Sequence, residues 1–315
     1  MNIVLTSDNN YLTYLGVTIC SICENNRGEE LAFHVILSGE VAEAGKEFLC
    51  EITGRYGAAL QFYAIDENLL CNLPVFETGQ PGHISKAAYY RLFLASILQE
   101  NIDKVLYLDC DLVVTKPLGS LWDTDIEGCP LAAVPDMTEH DLIHYSKLRY
   151  SPKLGYFNSG VMLVNLKYWR ENDCQKQFEN FVSEHLDRIV YHDQDVLNYV
   201  FRETKMLLPI KYNVQEGALY ERVNISWEYD EQLEEALRGP VIIHYTTGQK
   251  PWNKGCKHPW KDEWYKYLAK AGVKDFKPVE KKGPRKSPMQ IARQALVRLG
   301  LLEPLYKYRN GIGIK

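Results

Sequence analysis

Two aspartates separated by one residue are the first candidates for chemistry in this sequence. Asp109 and Asp111 directly follow the apolar segment 105–108, which predicts a buried strand. Residues i and i+2 of an extended chain project to the same side, so both carboxylates can face one cation while Cys110 points away. Two adjacent carboxylates repel each other, and a divalent cation removes that cost. An Asp-x-Asp pair also occurs in solvated turns, but its position after a buried strand favours a metal site.

A histidine at the end of another predicted strand, 241–244, is a candidate third ligand. A strand-end histidine more often only satisfies a hydrogen bond, but the sequence that follows His244 favours a ligand. Thr246, Gly248 and Lys250 offer a hydroxyl, a flexible backbone and a positive charge suited to a phosphate group. Carboxylates, one imidazole and diphosphate oxygens together suit Mn²⁺, with Mg²⁺ as the second choice.

Glycine-rich phosphate-binding motifs are absent from the sequence. Neither G-x-x-x-x-G-K-[ST] nor G-x-G-x-x-G after the first strand occurs. A metal ion can replace the amide cradle of such loops, and open α/β sheets place their ligands at the carboxyl ends of strands. The strand-end carboxylates and histidine therefore predict a diphosphate site that depends on a metal.

The order of the predicted elements explains how these positions come together. A β-α-β-α-β rhythm begins the chain, which indicates a parallel sheet with helices on its faces. The second half is more mixed, with short strands among helices. The predicted strands are 2–6, 31–37, 60–65, 104–108, 131–134, 161–164, 206–208 and 241–244, and the predicted helices are 11–25, 42–56, 85–98, 168–185, 195–201 and 260–271.

Composition and charge exclude several classes of protein. The chain has 315 residues, 46% of them hydrophobic and 24% charged, as in an ordinary α/β protein of one large or two modest domains. The net charge is −5, but residues 1–275 carry −13, and such an acidic body argues against nucleic acid as the main partner. The eight cysteines mostly lie singly in apolar segments, which predicts reduced thiols. No segment reads as a signal peptide or a membrane span, so we expect a cytoplasmic protein.

Residues 276–315 differ from the rest of the chain in charge, because they hold ten lysines and arginines against two glutamates. Segment 275–288 carries three prolines and several lysines and predicts a linker. Segment 289–302 has apolar residues at the spacing of one helix face, with Arg293 and Arg298 among them, which predicts a short basic amphipathic helix. The sequence leaves open whether this helix docks on the body or attaches to an anionic membrane surface.

Taken together, the motifs resemble those of the retaining glycosyltransferases of family 8, which include bacterial lipopolysaccharide α-galactosyl- and α-glucosyltransferases and glycogenin. The similarity runs from residue 2 to about residue 265 and is greatest to the lipopolysaccharide galactosyltransferases, including the basic tail. The matching segments are Thr6-Ser-Asp-Asn-Asn-Tyr11, His83-Ile-Ser85, Tyr89-Tyr-Arg91, Tyr107-Leu-Asp-Cys-Asp111, Leu121-Trp-Asp123, Phe157-Asn-Ser-Gly160, Asp193-Gln-Asp195-x-x-Asn198 and His244-Tyr-x-x-Gly-x-Lys-Pro-Trp252.

The resemblance implies a Rossmann-like GT-A fold, a mostly parallel central sheet flanked by helices, in residues 1–275. Residues 276–315 would then form the basic linker and helical tail. The implied donor is UDP-galactose or UDP-glucose, and the implied metal is Mn²⁺, with Mg²⁺ possible, held by Asp109, Asp111 and His244. An acidic and aromatic loop after the first strand would hold the nucleotide. Further implied donor-binding residues are Thr6, Arg91, Cys110, Asn158, Gly248 and Lys250.

In that loop, Asp8 would bind the uracil, Asn10 would contact the nucleotide and Tyr11 would stack on the base. Stacking combined with one hydrogen-bonding carboxylate is a sensible way to hold a uracil edge. The alternative for Asp8 is a cap for the helix that follows, and one residue can serve both purposes.

Five residues would surround the transferred sugar according to the resemblance: Arg91, Asp136, Asn158, Asp193 and Gln194. Simpler interpretations exist for some of them. Arg91 lies in an apolar helical segment and would need a core ion pair, and Asn158 suits a turn. One carboxylate of segment 193–195 would act as a helix N-cap, for which Asp195 is the candidate.

The expected reaction transfers a hexose with retention at the anomeric carbon. A retaining glycosidase uses a carboxylate nucleophile, whereas the matching residue here is Gln194, which is a weak nucleophile. This favours a front-face route in which the leaving phosphate oxygen deprotonates the acceptor. Asp193 is the alternative nucleophile, and Asp136 completes the set of candidate catalytic residues.

The acceptor is the least defined part of the expected reaction. We expect a glycan or glycolipid, such as lipopolysaccharide or another cell-surface glycan, with His83, Ile84, Thr246 and the loop 212–217 on the acceptor side. One alternative is a self-glucosylating enzyme like glycogenin, for which the 21 tyrosines offer acceptors. A sugar nucleotidyltransferase is disfavoured because the first loop lacks its glycine-rich stretch, and a non-catalytic binding protein is disfavoured by the intact metal set.

Overall fold

The computed structural model describes residues 1–65, 86–137, 141–221, 229–280, 288–299, 301–302, 307–309 and 311–312. The strands are β1 (Asn2–Asp8), β2 (Ala32–Ser38), β3 (Ala59–Ala64), β4 (Lys104–Leu108), β5 (Leu112–Val114), β6 (Leu131–Pro135), β7 (Phe157–Asn165), β8 (Met206–Leu207), β9 (Val214–Gln215) and β10 (Ile242–His244). The α-helices are α1 (Leu12–Asn25), α2 (Glu43–Arg55), α3 (Leu94–Ile97), α4 (Gly119–Trp122), α5 (Leu142–Leu148), α6 (Leu166–Glu171), α7 (Cys174–Glu184), α8 (His192–Val200), α9 (Asp230–Arg238), α10 (Lys261–Ala271) and α11 (Pro288–Arg298). Short 3-10 helices cover Lys86–Phe93, Pro152–Leu154, Leu186–Arg188, Ile210–Tyr212 and Glu216–Leu219.

The central sheet of the described chain has the strand order β3-β2-β1-β4-β7-β6-β8. Neighbouring strands from β3 to β4 are parallel, and β7 runs antiparallel to both β4 and β6. The predicted mostly parallel sheet flanked by helices is therefore confirmed. Because β1 and β4 are parallel neighbours, their carboxyl ends meet at one edge of the sheet, where Asp8 and Asp109 lie.

Both faces of this sheet are covered. Along β4, Leu106 packs in the core on the side of α1 and α2, whereas its neighbour Tyr107 packs on the side of α6 and α8. Both side chains are fully buried. A strand buried on both faces is apolar throughout rather than at alternate positions, which explains why segment 104–108 is recognisable in the sequence.

A second, three-stranded sheet has the order β5-β10-β9. β10 runs antiparallel to β5, with His244 opposite Leu112, and parallel to β9, with His244 opposite Gln215. β5 begins one residue after Asp111. The pairing therefore carries His244 to the aspartates across 133 residues of sequence.

Two predicted helices differ from those observed. Segment 85–98 is a 3-10 helix over Lys86–Phe93 with α-helix only at Leu94–Ile97, and Ser85 lies outside the described residues. Segment 168–185 is divided into α6 and α7, because Asp173 between them adopts the left-handed conformation with φ of 52°. Apolar spacing alone shows neither the tighter turn nor the interruption.

The predicted C-terminal helix is observed as α11, on which Met289 and Leu296 are 80% and 38% exposed. Beyond it, the backbone N–H of Arg309 donates to the carbonyl of Leu219 at 2.8 Å. The Tyr308 hydroxyl donates to the buried carboxylate of Glu216. The segment after the helix thus contacts the body, and the division at residue 275 stays a prediction. None of the helices in the described ranges is long and apolar enough to cross a membrane.

The carboxylate of Glu24 joins three helical segments on one face of the molecule. Lys270 of α10 donates to it, as do the Tyr56 hydroxyl at 2.5 Å, just after α2, and Arg27 at 2.6 Å, just after α1. Hydrogen bonds from Lys270 and Tyr56 lower the pKa of Glu24 to about 2. The ionised carboxylate therefore stabilises the packing of α1 against α2 and α10.

Replacement of this carboxylate should lower stability in a pH-dependent way. We expect Glu24→Gln to reduce the free energy of unfolding at neutral pH by about 1 kcal/mol, a value that allows for solvent screening. Because the folded-state pKa is depressed, the contribution is complete above the ordinary value of 4.5 and is lost as the pH falls towards about 2. Urea denaturation at a series of pH values would measure it. A difference from wild type that does not shrink below pH 4.5, or one shared by the exposed control Glu47→Gln, would contradict this role.

Candidate active site

Three predicted metal ligands meet at the edge shared by the two sheets. Asp109 follows β4, and its backbone N–H donates to the carbonyl of Gly160 on β7 at 2.9 Å. Asp111 leads into β5, and its carbonyl accepts the N–H of Tyr245, which follows His244, at 3.0 Å. Backbone hydrogen bonds on both sides of the Asp-x-Asp pair therefore set the positions of the ligands.

The geometry of these three side chains fits one cation. One ligand atom each from Asp109, Asp111 and His244 lies within 4.8 Å of the others. His244 Nε2 lies 3.1 Å from Asp111 Oδ1 and 3.8 Å from Asp109 Oδ2. The imidazole is buried and both carboxylates are partly exposed, so the cluster opens to one side. Two carboxylates and one imidazole leave open positions for ligand oxygens, as suits a hard or borderline divalent cation.

Gly160 makes room for this cluster. A Cβ atom there would lie 2.2 Å from His244 Cε1 and 2.7 Å from Asp109 Oδ2, closer than side chains approach. The position therefore tolerates only glycine if His244 and Asp109 are to face each other.

Lys250 adds a positive charge beside the cluster. Its Nζ donates to Asp111 Oδ2 at 2.5 Å and to the backbone carbonyl of Tyr245. Burial raises the pKa of Asp111, but Lys250 and His244 lower it by more, so this carboxylate stays ionised well below its usual range. A phosphate group arriving at the cation would meet the same ammonium group.

Arg91 connects the metal cluster to the predicted sugar site. Its guanidinium lies 3.0 Å from Asp109 Oδ1 and 3.0 Å from Asp193 Oδ2, and it donates to the carbonyl of Ser159 at 2.8 Å. The group also stacks over the ring of Tyr107, 4.6 Å from the centroid. The alternative interpretation of Arg91 as a core ion pair is thus observed, but with two carboxylates of the candidate site.

Asn158, Asp136 and Gln194 form one hydrogen-bonded group. Asn158 Nδ2 donates to Asp136 Oδ2 at 3.0 Å and to Gln194 Oε1 at 3.2 Å. Gln194 Nε2 donates to the same Asp136 oxygen at 3.1 Å, and the N–H of Ser159 donates to Gln194 Oε1 at 3.0 Å. Asp193, one residue before Gln194, accepts from the Ser159 hydroxyl at 3.0 Å. Every predicted sugar-site residue therefore contacts another member of the set.

The expectation that Asp195 is a helix N-cap is wrong. Tyr191 is the N-cap of α8, and Asp195 lies inside the helix. Its Oδ2 accepts the backbone N–H groups of Val190 and Tyr191, each at 2.6 Å, and its Oδ1 accepts the Tyr156 hydroxyl at 2.7 Å. Asp195 therefore holds the start of the helix from within, which positions Asp193 and Gln194 on its first turn.

The predicted nucleotide loop follows β1 at the same edge. Asp8 Oδ1 accepts the backbone N–H groups of Asn10 at 2.8 Å and Tyr11 at 3.1 Å, so it closes the turn ahead of α1. The N-cap of that helix is Tyr11, so the alternative of Asp8 as its cap is wrong. Tyr11 is 40% exposed and meets Tyr14 edge-on at 5.2 Å between ring centroids. Tyr14 stacks on Trp252 at 4.0 Å. The result is an aromatic group that includes Trp252 of the loop after β10, the loop that also contains Lys250.

The remaining predicted positions are distributed around this edge. The Cys110 thiol points away from the cluster and donates to the carbonyl of Thr6 at 2.9 Å, and burial raises the pKa of this thiol well above its usual value. The Thr6 hydroxyl lies 3.0 Å from that of Tyr107. Thr246 is half-buried and Gly248 is exposed in the loop after β10. His83 and Ile84 lie outside the described residues.

Reasoning from the sequence assigned no role to three residues that contact this site. Ser159 and Gly160 follow Asn158 directly and belong to the same matching segment, so the sequence could have indicated them. Asn213 is fully buried, and its Oδ1 lies 2.9 Å from His244 Nδ1. It falls in the loop expected on the acceptor side, and no local pattern marks it.

Comparisons with known proteins agree with this geometry. The model of glycosyl transferase family 8 matches residues 2–256. General stress protein A of Bacillus subtilis (strain 168) is 32% identical over 273 residues, which cover 85% of this chain and 93% of that protein. The lipopolysaccharide 1,3-galactosyltransferase of Salmonella typhimurium is 30% identical over 270 residues, which cover 82% of this chain and 74% of that enzyme.

A solved structure extends the similarity to the whole architecture. The galactosyltransferase LgtC, in complex with donor and acceptor sugar analogues, has a TM-score of 0.78 and 28% sequence identity to this chain. The match covers 87% of this chain and 97% of LgtC. The expected GT-A arrangement of the central sheet is thereby confirmed.

Addition of one methyl group at Gly160 should weaken metal binding. We expect Gly160→Ala to lower the Mn²⁺ affinity by at least about tenfold, because the new Cβ displaces His244 or Asp109 from the ligand position. Electron paramagnetic resonance titration of free Mn²⁺ would measure the affinity. Gly54→Ala is the matched control, since a Cβ there meets nothing within 4 Å. A folded Gly160→Ala protein that binds Mn²⁺ like wild type would contradict the proposed ligand geometry.

Proposed function

This chain belongs to glycosyl transferase family 8, and we propose that it moves a hexose from a UDP-sugar to an acceptor hydroxyl in a metal-dependent reaction with retention. The observation that carries the proposal is the continuous arrangement from Asp109, Asp111 and His244 through Arg91 to Asp193. The candidate site for a diphosphate-bound cation lies beside the buried polar side chains of Asp136, Asn158 and Asp193, groups that could hydrogen-bond a sugar.

The donor is UDP-galactose or UDP-glucose. The aromatic rings of Tyr11 and Tyr14 and the carboxylate of Asp8 lie at the end of β1, where a uracil can stack and hydrogen-bond. Similar proteins are named as a lipopolysaccharide galactosyltransferase and a galactosyltransferase, which supports a hexose. The acceptor is a glycan or glycolipid, with lipopolysaccharide or another cell-surface glycan as the class that these relatives favour.

Asp109, Asp111 and His244 would hold Mn²⁺, or Mg²⁺ as the second choice. The bound cation would neutralise the negative charge that grows on the leaving diphosphate. Lys250 contributes a second positive charge on the same side, within reach of Asp111. Arg91 orients Asp109 by its ion pair at 3.0 Å. These groups stabilise charge where it develops as the C1–O bond lengthens.

The contacts of Asp193 favour a front-face route. Asp193 Oδ2 is bound by both Arg91 and Ser159, so a nucleophilic role would require it to leave an ion pair. Gln194 Oε1 is engaged as well, by Asn158 Nδ2 and the Ser159 N–H, and an amide oxygen is a weak nucleophile in any case. The leaving phosphate oxygen then takes the acceptor proton on the same face. Asp136, bound by Gln194 and Asn158, orients this amide.

Residues 276–315 suggest where in the cell the protein acts. Residues 276–315 are strongly basic, and the side chains of Met289, Leu299 and Leu301 are 80%, 71% and 67% exposed. Apolar side chains beside arginines suit the interface of an anionic membrane. We therefore place the enzyme in the cytoplasm, peripherally attached to the inner face of the plasma membrane, where a growing glycolipid is accessible.

A screen of donors with Mn²⁺ tests the donor and the metal together. We expect hydrolysis of UDP-galactose or UDP-glucose without acceptor, and a rise in melting temperature with the same nucleotide sugar. Asp111→Asn should reduce turnover by at least about 100-fold, because the metal contributes several kcal/mol to the transition state. The exposed Asp187→Asn is the control and should have wild-type turnover. Full turnover in excess chelator would refute the metal, and no turnover of any UDP-hexose would refute the donor.

Intact-mass measurement after the same incubation separates three mechanisms. The front-face route predicts an unmodified protein. A hexose adduct on Asp193 or Gln194 would show a double displacement, and stepwise hexose addition to tyrosine would show self-glucosylation of the glycogenin kind.

Sedimentation with vesicles tests the tail. Full-length protein should bind vesicles that contain anionic phosphatidylglycerol, and replacement of Met289, Leu299 and Leu301 by serine should abolish this binding. Leu142→Ser with Ile143→Ser on α5 is the matched control, since these side chains are 66% and 54% exposed. Binding should also weaken with added salt. Equal sedimentation of the tail variant and wild type would exclude membrane attachment through segment 289–301.

A further inference from the structure

We propose that Asn213 is a positioning residue that fixes the ring tautomer of His244, so that the Nε2 lone pair faces the position of the metal. The inference rests on the proposed metal centre and adds to it a residue that touches neither metal nor substrate. Asn213 lies directly before β9, whose pairing with β10 places Gln215 opposite His244. The second sheet therefore brings the asparagine to the far side of the imidazole.

The orientation of every group in this relay follows from one backbone N–H. The N–H of Gly160 can only donate, and it lies 3.1 Å from Asn158 Oδ1, which must therefore be the carbonyl oxygen. At the other end of the same amide, Asn158 Nδ2 lies 3.0 Å from the Asp136 carboxylate, an acceptor when it is ionised. Asn158 is thus oriented at both ends by partners whose roles are fixed.

Asn158 in turn orients Asn213. Asn213 Nδ2 donates to Asn158 Oδ1 at 2.9 Å, so its own Oδ1 faces the imidazole. This oxygen lies 2.9 Å from His244 Nδ1 and can only accept. Nδ1 must therefore carry the proton, and a neutral imidazole then has its lone pair at Nε2. Nε2 is the atom that faces Asp109 and Asp111.

Burial makes this arrangement rigid. Asn213 is fully buried, and Asn158 and His244 are 8% and 3% exposed. A flip of the Asn213 amide would place two donors against each other at Nδ1 and two acceptors against each other at Asn158. Such groups cannot turn to water in a buried position, so the flip would leave them unsatisfied. The imidazole is therefore oriented for a cation before one binds. Hydrogen-bond partners of histidine ligands have this role in metal sites generally.

The relay also links the cation to the sugar site through Asn158. Its Oδ1 accepts hydrogen bonds from Gly160 and Asn213 on the metal side. Its Nδ2 donates to Asp136 and Gln194 on the sugar side. The two functions of the proposed enzyme thus share one amide. A purely structural Asn213 would matter for stability alone, whereas a positioning residue also sets metal affinity.

Two substitutions separate the two ends of the Asn213 amide. Asn213→Leu has similar volume and removes both hydrogen bonds, and we expect the Mn²⁺ affinity to fall by about 10- to 100-fold in paramagnetic resonance titrations. Asn213→Asp keeps an acceptor for His244 Nδ1 and should bind Mn²⁺ within about threefold of wild type. Asn26→Leu is the control, because Asn26 is a buried amide, 3% exposed, bonded at both ends and remote from the metal site. It should lose stability but not metal affinity.

Imidazole nitrogen shifts of the metal-free wild-type protein give a readout of the Nδ1 proton that needs no variant. We expect His244 to carry a proton at Nδ1, and Asn213→Leu to populate a form in which Nδ1 is unprotonated. A His244 ring without a proton at Nδ1 in wild type would overturn the inference. So would a folded Asn213→Leu that binds Mn²⁺ like wild type, or an Asn213→Asp that loses as much affinity as Asn213→Leu. If wild type binds no Mn²⁺ at all, the proposed metal centre fails as well.

Discussion

Repulsion between carboxylates at the edge of the central sheet is the constraint on which the rest of the site depends. Asp109, Asp111 and Asp193 lie close together in partly or fully buried positions, where like charges cannot all remain ionised without counter-charges. The described chain supplies two of these: Arg91 bridges Asp109 and Asp193, and Lys250 binds Asp111. The open side between Asp109 and Asp111 is where a divalent cation would complete the balance. A substrate diphosphate then adds negative charge where the positive charges already converge.

The two sheets position different residues of this site. The central sheet delivers Asp109 from a strand buried on both faces and sets Gly160 against it on the neighbouring antiparallel strand. The small sheet has a different role, because its antiparallel pairing brings His244 opposite Leu112. The side chains of His244 and Asp109 leave no room for a Cβ atom at Gly160. The arrangement of the three candidate ligands is therefore a consequence of strand register, and a shift by one residue would point His244 away from the aspartates.

The sequence predicted those parts of the site that have a local signal. Asp109 and Asp111 follow an apolar strand, and His244 ends another, so their types and positions were recognisable. The roles of Asn213 and Gly160 depend on what faces them across a sheet, which no spacing reveals. Asp195 was misjudged for a related reason, because a carboxylate near a helix start can bond backwards from within the helix as well as cap it. The 3-10 form of Lys86–Phe93 likewise has the apolar spacing of an ordinary helix.

The loop that carries Lys250 is connected to the C-terminal segment through Glu216. Glu216 is almost fully buried, and its carboxylate accepts the hydroxyl groups of Thr247, Tyr220 and Tyr308. Thr247 belongs to the phosphate-side loop, whereas Tyr308 belongs to the C-terminal segment beyond α11. A buried carboxylate needs such donors, since it loses its hydration. The C-terminal segment at Tyr308 and the loop at Thr247 therefore meet at one buried carboxylate.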